Sequence, residues 1–270
     1  MDKPPFEVTV EERIAHLRLC RPESFNAMTF AGIVQLGEAV RALAADARIR
    51  CLLLSSTGKH FTSGMQLDEF REGGPALPVA TPRDRSRFQT ELARLMDAFD
   101  ALDRAPIPVI AAIQGGCIGG GVDLVAAADV RYCSADAFFA IQQINVGIVA
   151  DLGTLQRLPK LMPPAVVREY AYSGRRMPAE RALQVGLVNG VFATAVETLA
   201  AAMQLAREIA AKSPLAIGGI KQAINYARDH STRESLEHMA VLQSAIFSTT
   251  DLHAAVAARK DKREVGFEDR

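Results

Sequence analysis

The stretch "GGCIGGGVDL" (Gly115–Leu124) places five glycines in seven residues and then a single acid inside an apolar run. Glycine at this density lets a backbone approach a ligand closely or hold a strained turn. A carboxylate among apolar neighbours needs a partner or a task. Upstream, "PVIAAIQ" (Pro108–Gln114) reads as a strand buried on both faces. Downstream, "VDLVAAAD" reads as a helix. Strand, glycine turn and helix leave unpaired N–H groups at the positive end of a helix dipole. A P-loop would need G-x-x-x-x-G-K-[ST], but Val122 and Asp123 follow Gly121, and no full G-x-G-x-x-G occurs across the stretch. An acid in the first helical turn also repels a phosphate. Such donors suit an oxyanion that forms only during reaction, as in a thioester enolate. Asp123 would then lie where a proton could pass to or from the adjacent carbon. The other reading is that the glycines only let helix and strand pack closely while Asp123 caps the helix. The stretch alone does not separate the two.

A second segment repeats the plan. "GKHFTSGMQLDEF" (Gly58–Phe70) follows the apolar run Cys51–Ser56, again a strand, a small-residue turn and a helical start. A hydrolase elbow, G-x-S-x-G, is absent: Phe61 stands where the first glycine would, so Ser63 is not read as a nucleophile. Turns at the ends of two parallel strands could each supply one N–H to a single oxygen.

Working outward, "FEVTVEERIAHLRL" predicts two strands around an acidic turn, with Val8, Val10, Ile14, His16 and Leu17 facing inward. Thr29 is placed to cap a helix over Phe30–Ala45. Gly73–Pro82 reads as a mobile loop, and Arg83–Leu102 as a long amphipathic helix. "VRYCS" and "FFAI" return to strand. After about residue 150 only helices are expected: Met162–Ser173, Pro178–Val185, Ala195–Ala211, Leu215–Arg228, Arg233–Phe247 and Leu252–Arg263. Alternating strands and helices argue for a parallel sheet, and a trailing helical extension suits packing against another subunit.

Composition narrows the partners. The 270 residues carry 31 basic and 31 acidic side chains and are 49% hydrophobic. A zero net charge speaks against nucleic acid or an anionic membrane as the main partner. Cys20, Cys51, Cys117 and Cys133 are scattered, as expected of reduced thiols in a cytoplasmic protein. No secretory h-region, membrane-span-length apolar run or C-terminal S-K-L is seen. The five histidines have no metal-ligand spacing. His60 reads as structural or near a ligand, and Lys212, Lys221, Lys260 and Lys262 mostly as solvated helix faces.

"HFTSGMQL", "GGCIGGGVDLVAAADVRYCSADAFFAI" and "VGIVADLGTLQRLPKLM" together resemble the crotonase (enoyl-CoA hydratase/isomerase) superfamily. Within it the likeness is to the Δ3,5-Δ2,4-dienoyl-CoA isomerases, through "GGGVDL", "RYC", "DAFF" and "ADLGTLQRLPK". "RPESFNAM" and "SPLAIGGIKQAIN" add weaker support. The resemblance implies an α/β fold with a ββα spiral core over residues 1–200 and a helical trimerisation region over 201–270. It implies an acyl-CoA substrate, a homotrimer or homohexamer, and no cofactor beyond the coenzyme A carried by the substrate. The oxyanion hole would be the N–H groups of Met65 and Gly120. Asn26, Ala27, Met28, Ser63, Gly64, Gln66, Leu67, Gly119 and Gly121 would line the substrate and CoA path.

The same resemblance makes Asp123 and Asp151 the catalytic carboxylates. Twenty residues after Asp123, where the relatives carry a glutamate, stands Gln143. An amide matches the length but accepts no proton at neutral pH. Three functions therefore stay open: double-bond isomerisation driven by the two aspartates, hydration of an enoyl-CoA, and acyl-CoA binding without turnover. Asp151 could also merely cap the following helix.

Overall fold

The computed structural model describes residues 4–70 and 79–267. Strands β1 (Phe6–Glu11) and β2 (Ile14–Leu19) form a hairpin, followed by α1 (Phe30–Ala45), β3 (Cys51–Ser56), α2 (Pro82–Arg104) and β4 (Val109–Ile113). Next come β5 (Gly116–Ile118), α3 (Gly120–Ala126), β6 (Val130–Ser134) and β7 (Phe138–Ala140). The rest is α4 (Thr154–Leu161), α5 (Pro164–Ser173), β8 (Met177–Pro178), α6 (Ala179–Gln184), β9 (Gly190–Phe192), α7 (Ala195–Ala210), α8 (Pro214–Asp229), α9 (Thr232–Ile246) and α10 (Thr249–Lys260).

Two sheets carry the site. The larger has the order β1-β2-β3-β4-β6-β9, parallel throughout except for the β1–β2 hairpin. The smaller has the order β5-β7-β8 and turns off the first inside the glycine stretch. This is the α/β spiral that the resemblance implies. Thr29 caps α1 as expected, its hydroxyl accepting from Gly32 N at 3.0 Å. Ile33, Leu36 and Val40 are buried beneath it. α7 lays Ala202, Ala206 and Ala210 against Ile14, Cys51, Leu53 and Ile110 on the sheet. Methyl side chains there let helix and sheet approach closely.

Several expectations are corrected. Val8 and Val10 face outward, Val10 with 53% of its surface exposed, because β1 is an edge strand with one neighbour. The glycine stretch does not pass straight from strand to helix: it contains β5, which pairs with β7 twenty-two residues further on. The region after residue 150 is not helix alone, since β8 and β9 complete the two sheets there, and α4 is an additional helix. The expected division at residue 200 falls inside α7, which packs on the sheet. Of the expected loop 73–82, residues 73–78 lie outside the described residues, while Thr81 caps α2 in a reciprocal box with Asp84. Lys221 is not on a solvated face. It is only 7% exposed, and its ammonium donates to Leu102 O at 2.8 Å, Ile107 O at 3.2 Å and the Asp129 carboxylate at 2.7 Å. That pair fastens α8 to the core beside β4. The four cysteines are free, as expected.

Candidate active site

The site is built where the turn after β3 runs beside the start of β5. Thr62 N donates to Gly116 O and Ile118 N to Thr62 O, each at 3.1 Å. One step along, Met28 N donates to Gly64 O at 2.8 Å and Gln66 N to Met28 O at 2.9 Å. Gln66 N is used in this ladder and Gly64 N donates to Thr62 Oγ1 at 3.1 Å, but the N–H of Met65 itself is left without a partner among the described residues. Gly120 opens α3, and its N–H is likewise unpaired. Gly64 permits the approach of the two turns. Its φ is +89°, and a Cβ there would lie 2.6 Å from Ile118 O and 3.2 Å from Gly120 N. The two free donors thus belong to adjoining turns at the end of parallel strands, as an oxyanion hole requires.

The other expected ligand positions divide. Gly121 packs inward, where a Cβ would meet Thr62 Cγ2 at 2.4 Å, so it seats α3 against the neighbouring turn. Asn26 is buried in a left-handed conformation. It accepts from Arg21 N at 2.9 Å and donates to Thr57 O at 2.8 Å and His60 O at 3.1 Å, tying the loop before α1 to the loop after β3. It shapes the turn without facing the cleft. Ala27, Ser63 and Gln66 are partly exposed beside Met65, Met28 packs under Gly120, and Gly119 precedes α3 at φ +54°. Leu67 begins a short 3-10 turn, Leu67–Phe70. His60 is structural: Nδ1 accepts from Gly116 N at 2.9 Å.

Asp123 has no exposed surface. Oδ1 accepts from Thr154 N at 2.7 Å and Oδ2 from Gln143 Nε2 at 3.0 Å. It therefore caps α4, thirty-one residues away, and not its own helix. The residue immediately before α4 is Gly153, so Asp151 is not its cap. Burial raises the Asp123 carboxyl from 3.8 to about 6, against the opposing hydrogen bond from Thr154. Asp151 is half-buried, its carboxylate without a partner among the described residues, and desolvation raises it too. Gln143 is 9% exposed, and its Oε1 is buried without a partner, as is Thr154 Oγ1.

All five of these positions, Met65, Gly120, Asp123, Gln143 and Asp151, border one cleft of about 880 Å³. Its walls are mostly apolar, with Phe30 and Val34 from α1, Leu92 and Leu95 from α2, and Ile148 and Val149 before α4, beside the polar Gln35, Glu91 and Arg94. An apolar chain fits such walls, and a reacting head group would meet the polar floor. Sequence reasoning missed the wall residues and Thr154. The wall was signalled by the stripe Phe88, Leu92, Leu95, Phe99, Leu102, whose second half is core and whose first half lines the cleft or supports it.

The burial of Asp123 has a measurable consequence. The folded protein binds the Asp123 proton more tightly than the unfolded chain, so stability falls as pH rises from about 4 to about 6 and is level above that. Lifting a carboxyl from 3.8 to about 6 corresponds to about 3 kcal/mol. Asp123→Asn should keep the Thr154 bond, let the Gln143 amide turn to accept, and remove this pH dependence. Denaturant unfolding at pH 4 and pH 7 should show wild type losing about 2 kcal/mol relative to the variant. Parallel curves for the two proteins would contradict the assignment.

Comparison with known proteins bears out the resemblance. Residues 9–270 match the family described as enoyl-CoA hydratase/isomerase. The mitochondrial Δ3,5-Δ2,4-dienoyl-CoA isomerase of Mus musculus is 41% identical over 261 residues, covering 95% of this chain and 79% of that one. The peroxisomal Δ3,5-Δ2,4-dienoyl-CoA isomerase of Arabidopsis thaliana is 37% identical over 261 residues, covering 95% and 93%. An enoyl-CoA hydratase structure from Mycobacterium tuberculosis H37Rv superposes with a TM-score of 0.85 at 28% identity, covering 99% of this chain and 100% of that one. The cytoplasmic expectation is overturned, because these relatives are mitochondrial and peroxisomal enzymes. Free thiols report a reducing setting, not which compartment supplies it. With the family pattern running from residue 9 to residue 270 over a matching fold, the chain belongs to the enoyl-CoA hydratase/isomerase family.

Proposed function

We propose that the protein is an isomerase that shifts the double bonds of a 3,5-dienoyl-CoA to the 2,4 positions. The observation that carries this reading is the meeting, in one apolar cleft, of two unpaired N–H donors with two carboxyls lifted by burial. The thioester oxygen binds between Met65 N–H and Gly120 N–H. Asp123 takes a proton from C2 as the Gln143 amide yields its bond, the electron pair moves through the enolate and the diene, and Asp151 delivers a proton to C6. Carboxyls raised toward neutrality suit both steps. Ala27, Ser63 and Gln66 form the rim along which CoA lies. No oxidation state changes, so no redox partner is needed, and coenzyme A enters with the substrate.

The direct test is absorbance on mixing with a 3,5-dienoyl-CoA, since conjugation with the thioester arises only on isomerisation. Tight binding with no absorbance change would leave a binding protein in place of an enzyme. A second reading, hydration of a 2-enoyl-CoA, rests on the unpartnered Gln143 Oε1, which suits a water as donor. Turnover of a 2-enoyl-CoA but not of a dienoyl-CoA would select it.

The C-terminal helices support assembly as a trimer or a dimer of trimers. α8–α10 and the turn between the last two expose Ile220, Ile224, Leu236, Val241, Phe247 and Val256, and apolar side chains grouped in this way mark interaction surfaces. Light scattering at micromolar concentration should return three or six chains. A monomer would refute the assembly.

A further inference from the structure

Asp151 and Leu152 border two cavities, not one. Beyond the apolar cleft, they also line a separate polar cavity of about 500 Å³ between α2, α4 and α8. Its walls are charged but paired: Arg157 with Asp100, Arg228 with Asp103 at 3.0 Å, and Lys160 with Asp229. Arg104, 70% exposed at its side chain, and the exposed Gln156 stand at its mouth. A lining of this polarity is one that water wets. Asp123 does not reach this cavity.

The asymmetry matters for the reaction proposed above, on which this inference rests. Each turnover leaves Asp123 protonated and Asp151 ionised, so Asp151 must be reloaded before the next. While an acyl chain fills the cleft, its apolar walls close that side to water. The other side of Asp151 stays open. We propose that Asp151 reloads through the polar cavity, drawing from water there the proton it delivers to C6. The balance closes over a cycle. The C2–H bond breaks to Asp123, the C6–H bond forms from Asp151, Asp151 gains one proton from the cavity, and Asp123 releases one when product leaves.

Filling the cavity from two different walls tests this. Met96→Trp on α2 and Gln156→Trp on α4 touch only the second cavity. Rapid mixing with a 3,5-dienoyl-CoA should show a first turnover at the wild-type rate. A steady state slower by about tenfold or more should follow, because reloading rather than chemistry becomes limiting. A folded variant with an unchanged steady state, or with the first turnover slowed as much as the later ones, would overturn the route. A measurement on wild type needs no variant. With a saturated acyl-CoA filling the cleft, at a pH where Asp151 is protonated, a jump into D2O should shift the Asp151 carboxyl infrared band at once. Loss of that band in Asp151→Asn identifies it. Protection of the band for the lifetime of the complex would also overturn the route. Absence of any dienoyl-CoA turnover would sink the isomerase reading instead, leaving the exchange measurement to stand by itself.

Discussion

Asp151→Asn should lower kcat by about 10²–10⁴-fold while leaving acyl-CoA affinity within a few-fold of wild type. The side chain has no bonding partner among the described residues, so removing its charge breaks no contact seen to hold the fold. Asparagine keeps its shape but has no proton to give near neutral pH. A loss of that size in kcat with KM preserved is what removal of an interaction made only in the transition state looks like. Steady-state kinetics on a dienoyl-CoA, with thermal unfolding as a control, decides it. A variant that retains activity would show that the proton at the far end of the diene comes from elsewhere.

Gln143→Glu should act in the opposite direction and raise kcat by about 10²-fold, by adding a second carboxyl beside Asp123. Gln143 stands at the cleft floor with Nε2 3.0 Å from Asp123 Oδ2. A glutamate there would bring two carboxyls together, and they could share one proton. Like-charge repulsion would then push the second ionisation upward. The gain should therefore grow with pH as the shared proton leaves, and the rate should be read as a pH profile. If the variant binds acyl-CoA and turns over no faster at any pH, a second carboxyl beside Asp123 adds nothing to the deprotonation of C2.

Much of this site was legible in the chain. The two glycine turns and Asp123 follow from short-range patterns, whereas Met65, Gly120 and Asp151 came from the family resemblance, and these residues do converge on one cleft. What the resemblance carried too broadly were the buried positions. Asn26 and Gly121 fit the family's pattern, yet they hold loops together and do not face the cleft. The wall was hidden for a different reason. A stripe such as Phe88–Leu102 has one period along its length, and nothing in that period says where the core ends and a cleft begins.

The sequence by itself determined what lies within a turn of helix or a run of strand. The caps at Thr29, Thr81, Ser213 and Ser231 each bond a donor three residues on. The apolar runs at β3 and β4 specify strands buried on both faces. Only the tertiary structure decided the partners of the buried polar groups. Asp123 caps a helix thirty-one residues away, and Lys221 is buried because Asp129, ninety-two residues earlier, is there to receive it. It also decided that Val8 and Val10 lie in water, since β1 ends the sheet. The reason is one of range. Propensity and capping act over three or four residues, whereas a buried charge is stabilised by whichever distant group the order of strands brings within hydrogen-bond reach.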